Sequence, residues 1–166
     1  MGKNIILLSF LAFISCVSLS PKKEREVSFI SETKIKKDEA YDRALIWFAK
    51  NLNNSNWAVQ IKDKPNGRIV SNVKYQCNKM DSFGSIVGDV DYISFSLDVT
   101  TKDNKIRVIF EDVVYLIANR HGVESVEGPS DRDELKYIEQ NCLNYIRRDL
   151  MNAVNGVSYN TRSDNF

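Results

Sequence analysis

The sequence predicts an α+β two-layer sandwich: one antiparallel sheet with two helices on a single face, in the order β-α-β-β-β-β-α. Three observations carry this. Four central segments alternate apolar and polar residues with period two and are joined by short turns. Two longer segments carry apolar stripes at helical spacing. The length beyond an N-terminal leader, about 150 residues, suits one domain, and a chain that is 43% hydrophobic can fill a core.

The elements follow in order. Glu26 to Ser31 alternates weakly and reads as a first strand. The run "KKDEAYDRALIWFAKNLNNS" reads as a helix with Tyr41, Leu45, Phe48 and Leu52 on its buried face. Asp38 and Glu39 sit in its first turn, where the helix dipole favours anions. Trp47 beside this stripe reads as core rather than as part of a ligand box. Four strands come next: Trp57 to Asp63, Arg68 to Cys77, Val90 to Thr101 and Lys105 to Ile117. Pro65-Asn66-Gly67 and Lys102-Asp103-Asn104 make the two tight turns. Ile93, Phe95, Leu97 and Val99 share one face of the third of these strands. In the fourth, Ile106, Val108 and Phe110 face one way, Arg107, Ile109 and Glu111 the other. The stretch from Ala118 to Glu134 reads largely as a loop. A final helix spans about Asp131 to Val154, with Leu135, Ile138, Cys142, Leu143, Ile146, Leu150 and Val154 as its stripe. Ser130 is its expected N-cap and Asn155-Gly156 its stop.

The first residues carry an address. Lys3 precedes an apolar run from Ile5 to Ile14, about half the roughly 20 residues that span a bilayer. Pro21-Lys22-Lys23-Glu24-Arg25 then closes it off, so the run reads as a secretory signal. Its end, Phe13-Ile14-Ser15-Cys16, resembles a bacterial lipobox, with Phe13 where Leu is usual. The resemblance implies cleavage before Cys16 and lipid on its thiol, which anchors a chain without a spanning helix. The domain organisation expected is a signal peptide over 1–15, a lipidated tether over 16–25, a single domain over 26–156 and a mobile tail over 157–166. Loss of Met1 to Ser15 removes Lys3 and no acid, so the formal charge falls from +1 to 0. A neutral chain with mixed charges argues against nucleic acid as a partner.

Chemical motifs are few. His121 is the one histidine, and no nucleophile elbow accompanies it. Asp98, Glu111 and Asp112 could supply paired carboxylates, but Asp98 and Glu111 read more simply as partners of Arg107 in a cross-strand charge cluster. Gly84 and Gly88 do not make a phosphate loop. No cofactor or metal is expected, since no close Cys or His pair exists. Cys77 and Cys142, on a strand and a helix, are open to two outcomes: a disulfide, or two buried free thiols. Nothing in the sequence places their Cα atoms within the roughly 7 Å a disulfide needs, which tilts the expectation to free thiols.

The segments from Lys36 to Ile117 resemble a family of bacterial exported proteins and lipoproteins, a domain of unknown function with a TATA-binding-protein-like fold. The resemblance rests on four features: the Asp-Glu-start helix with aromatics; the hairpin residues Asp63, Lys64, Gly67 and Ile69; the alternating strand; and the "KIRV" strand followed by Asp112. It implies a fold and no activity.

The sheet face away from the helices is the expected binding surface, built from Tyr92, Arg107, Ile109, Glu111, Val113 and Tyr115. It would engage a protein or envelope component, with the membrane as a second partner through the lipid. The expected role is therefore a non-enzymatic envelope lipoprotein. The alternative is a small-molecule binder or hydrolase using the loop around His121 and the mouth between helix and sheet. The oligomeric state is open, including two domains paired into a saddle.

Overall fold

The structure is a computed structural model and describes residues 19–51, 59–77, 90–118 and 124–157. Cys16 and His121, with the expected signal peptide and most of the tail, lie outside the described residues.

The strands are β1 (Val27–Glu32), β2 (Val59–Asp63), β3 (Arg68–Gln76), β4 (Val90–Lys102), β5 (Lys105–Ala118) and β6 (Glu124–Gly128). Helix α1 (Lys37–Asn51) lies between β1 and β2. After β6 come α2 (Arg132–Ile138), a π turn (Glu139–Leu143) and α3 (Asn144–Val154), which together make the long final helix. All pairings are antiparallel, in the order β1-β5-β4-β3-β2, with β6 also on β5. The two-layer α+β architecture is as the periodicity requires. One strand was not foreseen: β6 lies inside the stretch read as a loop, because "ESVEG" is short and mostly exposed and shows no alternation.

The β2–β3 hairpin turns on Lys64 to Gly67, with Gly67 N–H donating to Lys64 O at 3.0 Å. Only Gly67 takes a positive φ, 65°. A Cβ there would stand 2.5 Å from Thr101 O, so the position needs glycine twice over. The β4–β5 turn ties down the start of α1: Asp103 Oδ1 accepts from Lys37 N–H at 3.0 Å.

The apolar faces meet as expected. Ile93, Phe95, Leu97 and Val99 of β4 are buried, with Ile106, Val108 and Phe110 of β5. Phe110 is the hub, its ring edge-on to Phe95 at 5.1 Å and to Phe29 at 6.0 Å. On α1 the buried face is Ala40, Tyr41, Ala44, Trp47 and Phe48, with Leu45 only half-buried. All seven stripe residues of the final helix are buried. From Ile138 they recur every four residues, longer than the 3.6 of an α-helix. The π turn over Glu139–Leu143 widens the helix there and keeps the stripe on the sheet. The cap is Asp131 rather than Ser130: its side chain accepts from Glu134 N–H at 2.9 Å, while Glu134 Oε2 takes the Ser130 N–H at 2.7 Å. Gly156, at φ 70°, and Val157 close the far end by donating to Ala153 O and Asn152 O.

Cys77 and Cys142 form a disulfide, with Cα atoms 5.8 Å apart, which corrects the expectation of free thiols. It joins the end of β3 to the π turn. Only the packing of this helix across the sheet brings two residues 65 apart in sequence together. On a chain-entropy view, a loop of this size contributes about 4 kcal/mol.

The domain also begins earlier than residue 26. Ser20 and Arg25 are buried, and Ser20 N–H donates to Pro129 O at 3.1 Å. The last part of the expected tether is thus part of the fold.

Candidate functional site

The open face of the sheet is assembled from the outward residues of five strands. Across its middle run Ile61, Val70, Asp98, Ile109 and Ser28, neighbours on β2, β3, β4, β5 and β1 in turn. On one side lie Arg68, Thr100, Arg107 and Ile30, and on the other Asn72, Ser96 and Glu111.

The charge pattern differs from the expected cluster. Asp98 is buried, and its partner is Arg68, whose Nε and Nη2 donate to Oδ2 at 3.0 and 2.7 Å. That bond also pushes the Arg68 guanidinium above its usual range. Arg107 instead donates weakly to Thr100 Oγ1 at 3.5 Å. At the β6 end, the Lys74 ammonium sits 4.5 Å above the Tyr92 ring and pairs with Glu124.

Four of the expected face residues, Tyr92, Arg107, Ile109 and Glu111, do lie on it. Tyr115 and Val113 do not: both are buried in the core, at 7% and 0% exposure. The cause is a β-bulge. Ser96 pairs with Glu111, whereas Ser94 pairs with Val114, so β5 carries one residue more than β4 between them. Asp112 sits at this point with φ 53°. Beyond it every side chain changes face. Val114 and Leu116 take the outward places instead, and Leu116 pairs with Val126 of β6.

The bulge is clamped from the N-terminal segment. Arg25 donates from Nε to Ser20 O at 2.8 Å and from Nη1 to Val113 O at 3.1 Å. Its own carbonyl accepts from Val113 N–H at 3.0 Å. Its Nη2 stands 2.5 Å from Asp112 Oδ1, an ion pair rather than an aligned hydrogen bond. Lys22 Nζ reaches Asp112 Oδ2 at 2.7 Å. The Lys22 hydrogen bond and the Arg25 charge together outweigh partial burial and hold the Asp112 carboxyl below its usual range. Asp98 and Asp112 are thus engaged by different cations, Arg68 for the first and Lys22 with Arg25 for the second.

A second concavity of about 420 Å³ opens where α1, α3 and β3 meet, beside Trp47, Tyr75, Tyr145, Arg148 and Asp149. Trp47 is buried and donates from Nε1 to Asp149 Oδ2 at 2.9 Å. Arg148 stacks on Tyr145 at 4.9 Å. The sequence points to a mouth between helix and sheet but to none of these lining residues, which come from three separate elements. Among the described residues, no group of three metal-ligating side chains occurs, and no helix is long and apolar enough to cross a membrane.

A single antiparallel sheet with one helix-covered face and one open face defines a TBP-like α+β domain. The family model for a domain of unknown function (DUF4468) with TBP-like fold matches residues 29–116, and the chain belongs to that family. A DUF4468 family protein from Bacteroides ovatus is similar in structure at TM-score 0.56 and 15% identity, over 82% of this chain and 88% of that one. A TBP-like protein from Parabacteroides distasonis is similar at TM-score 0.58 and 16% identity, over 78% and 91%. At these identities the likeness carries the fold alone. No curated protein matches the chain.

Proposed function

We propose that the chain is an exported, lipid-anchored binding domain of the bacterial cell envelope. Cys16 carries the lipid, and the open sheet face engages a protein or envelope component without catalysis and without nucleic acid. The observation that carries export is the Cys77–Cys142 disulfide, since such bonds persist in oxidising compartments and are rare in the cytosol. The signal-like leader and the lipobox-like Ser15-Cys16 point the same way. The mixed face supports binding: Ile109, Val114 and Leu116 offer apolar area beside Arg107 and Glu111.

The deciding experiment is an intact mass of the chain extracted from its own membrane. A chain beginning at acylated Cys16 is expected, and Cys16→Ser should shift the protein to the soluble fraction. A free N-terminus further along would overturn the anchor. For the face, Arg107→Glu with Ile109→Asp should abolish recovery of a partner from envelope extracts while the melting profile is kept. Unchanged recovery would exclude that surface.

A second reading rests on the hollow beside Trp47, where aromatic rings, an amide and charged groups converge as they do in small-ligand sites. Quenching of Trp47 fluorescence by envelope metabolites, lost in Tyr145→Ala, would support it. No response from any metabolite class would remove it.

A further inference from the structure

The two outer edges of the sheet are built differently. Strand β2 is five residues long, has a register shift between Val59 and Ile61, and is followed two residues on by Pro65 in its turn. These are the devices that blunt an edge. Strand β1, one residue longer and carrying Glu32, lacks the register shift and the proline. It is regular, pairs in unbroken register with β5, and among the described residues has no strand on its other side. Ile30, at its centre, is 72% exposed.

The backbone direction on this edge follows from two bonds. Thr33 N–H donates to Asn104 O, and Arg25 O accepts from Val113 N–H, so odd residues turn their backbone groups to β5. In an antiparallel ladder the direction alternates, so Ser28, Ile30 and Glu32 turn theirs to the free side. The side chains alternate in step: Glu26, Ser28, Ile30, Glu32 and Lys34 are all exposed.

We propose that this edge pairs with the β1 edge of a second copy, about a two-fold axis at Ile30. This goes beyond the envelope-binding reading and does not depend on it. In this register Ile30 meets Ile30, Ser28 meets Glu32, and Glu26 meets Lys34 at both ends. Ser28, Ile30 and Glu32 carry the outward backbone groups, so the opposed pairs within the strand can exchange two hydrogen bonds each, and the exposed Glu26 and Lys34 flank the strand at its two ends. Glu26 and Lys34 have no ion-pair partner among the described residues. The neighbouring two-fold registers are worse. An axis at Phe29 puts Glu26 against Glu32, and an axis at Ser31 puts Ile30 against Glu32. The contact is isologous and closes, so it gives a dimer and not a fibre, and the two open faces become one twelve-stranded surface.

The test uses the full-length chain carrying Cys16→Ser, so that no other free thiol competes, and a short bifunctional maleimide. Ile30→Cys should give a cross-linked species of twice the monomer mass. Ile46→Cys, 54% exposed on α1, should give none. Lys34→Glu should weaken dimerisation about tenfold by turning two attractions into repulsions. Adding Glu26→Lys should restore it, since the charges are then exchanged in place. The proposal is overturned if Ile30→Cys cross-links no better than Ile46→Cys, if Lys34→Glu has no effect, or if the double exchange fails to rescue. A product of another mass would mean that a different protein takes the edge, which also overturns self-pairing.

Discussion

The two halves of β5 bury opposite parities. From Lys105 to Phe110 the even-numbered residues face the helices, and from Val113 onward the odd-numbered ones do. Both halves are rich in Val and Ile, and both pair with β4 throughout. The difference lies in Asp112, one extra residue held by Lys22 and Arg25 from the far end of the sequence. Strand alternation is therefore a local rule. A residue's face can depend on a clamp that lies 88 positions away, as Arg25 does from Val113.

The largest break in this comparison comes from Asp112→Ile. A β-branched residue resists the φ of 53°, and a straightened strand that kept all its residues would turn Val113, Tyr115 and Ile117 to water and Val114 and Leu116 to the core. Strain or lost burial, together with loss of the ion pairs to Lys22 and Arg25, should cost about 4 kcal/mol or more. Deleting Asp112 instead removes the extra residue and leaves Val113 following Glu111 in regular alternation, so it should keep the faces and cost less. Urea unfolding measures both, and an Asp112→Ile variant within about 1 kcal/mol of the parent would mean that the bulge does not set the faces. Within the first half, Phe110→Ala should cost about 3–5 kcal/mol. Its neighbour Ile109→Ala, on the open face, should cost under about 1 kcal/mol. Equal costs would mean that the open face is covered by something other than water.

Arg25→Ala comes next. It removes the donors to Ser20 O and Val113 O and leaves Asp112 with Lys22 alone. About 2–3 kcal/mol is expected, the range for buried bonds to a charged group. Arg25→Lys should recover little of it, because one ammonium cannot reach three acceptors set out for a planar fork. Full recovery by lysine would reduce the clamp to a simple charge.

These residues also mark how far the sequence could be read. The period-two pattern of β4, the first half of β5 and the four-residue stripe of the final helix each depend on their own segment, and each lies as read. The two-layer architecture follows from them. Tyr115 was assigned to the wrong face because nothing within β5 announces a bulge; Asp112 tolerates positive φ, but many aspartates never adopt it. The Asp98–Arg68 pair was missed for a related reason. Arg107 is close to Asp98 by strand pattern, yet the β3 register sets Arg68 beside it on the other flank. The disulfide needed the helix to be placed over the sheet. In each case the missing information was a contact between distant segments.

The smallest predicted effect isolates the outer half of the clamp. Asp112 has its carboxyl held below the usual range, chiefly by Lys22. A carboxylate with a depressed folded pKa contributes stability above its unfolded pKa, near 3.9, and loses that contribution as pH falls through the folded value. Lys22→Ala should therefore be less stable than the parent at neutral pH and low salt, and the two should converge below about pH 3. The gap should stay under about 1 kcal/mol, because the Lys22 side chain is 78% exposed and water screens the pair. Salt of about 0.5 M should close most of it at pH 7. Lys23→Ala, with no such partner among the described residues, serves as the control. A gap that persisted unchanged into acid would show that Lys22 acts by packing rather than charge, and the clamp would then rest on Arg25 alone.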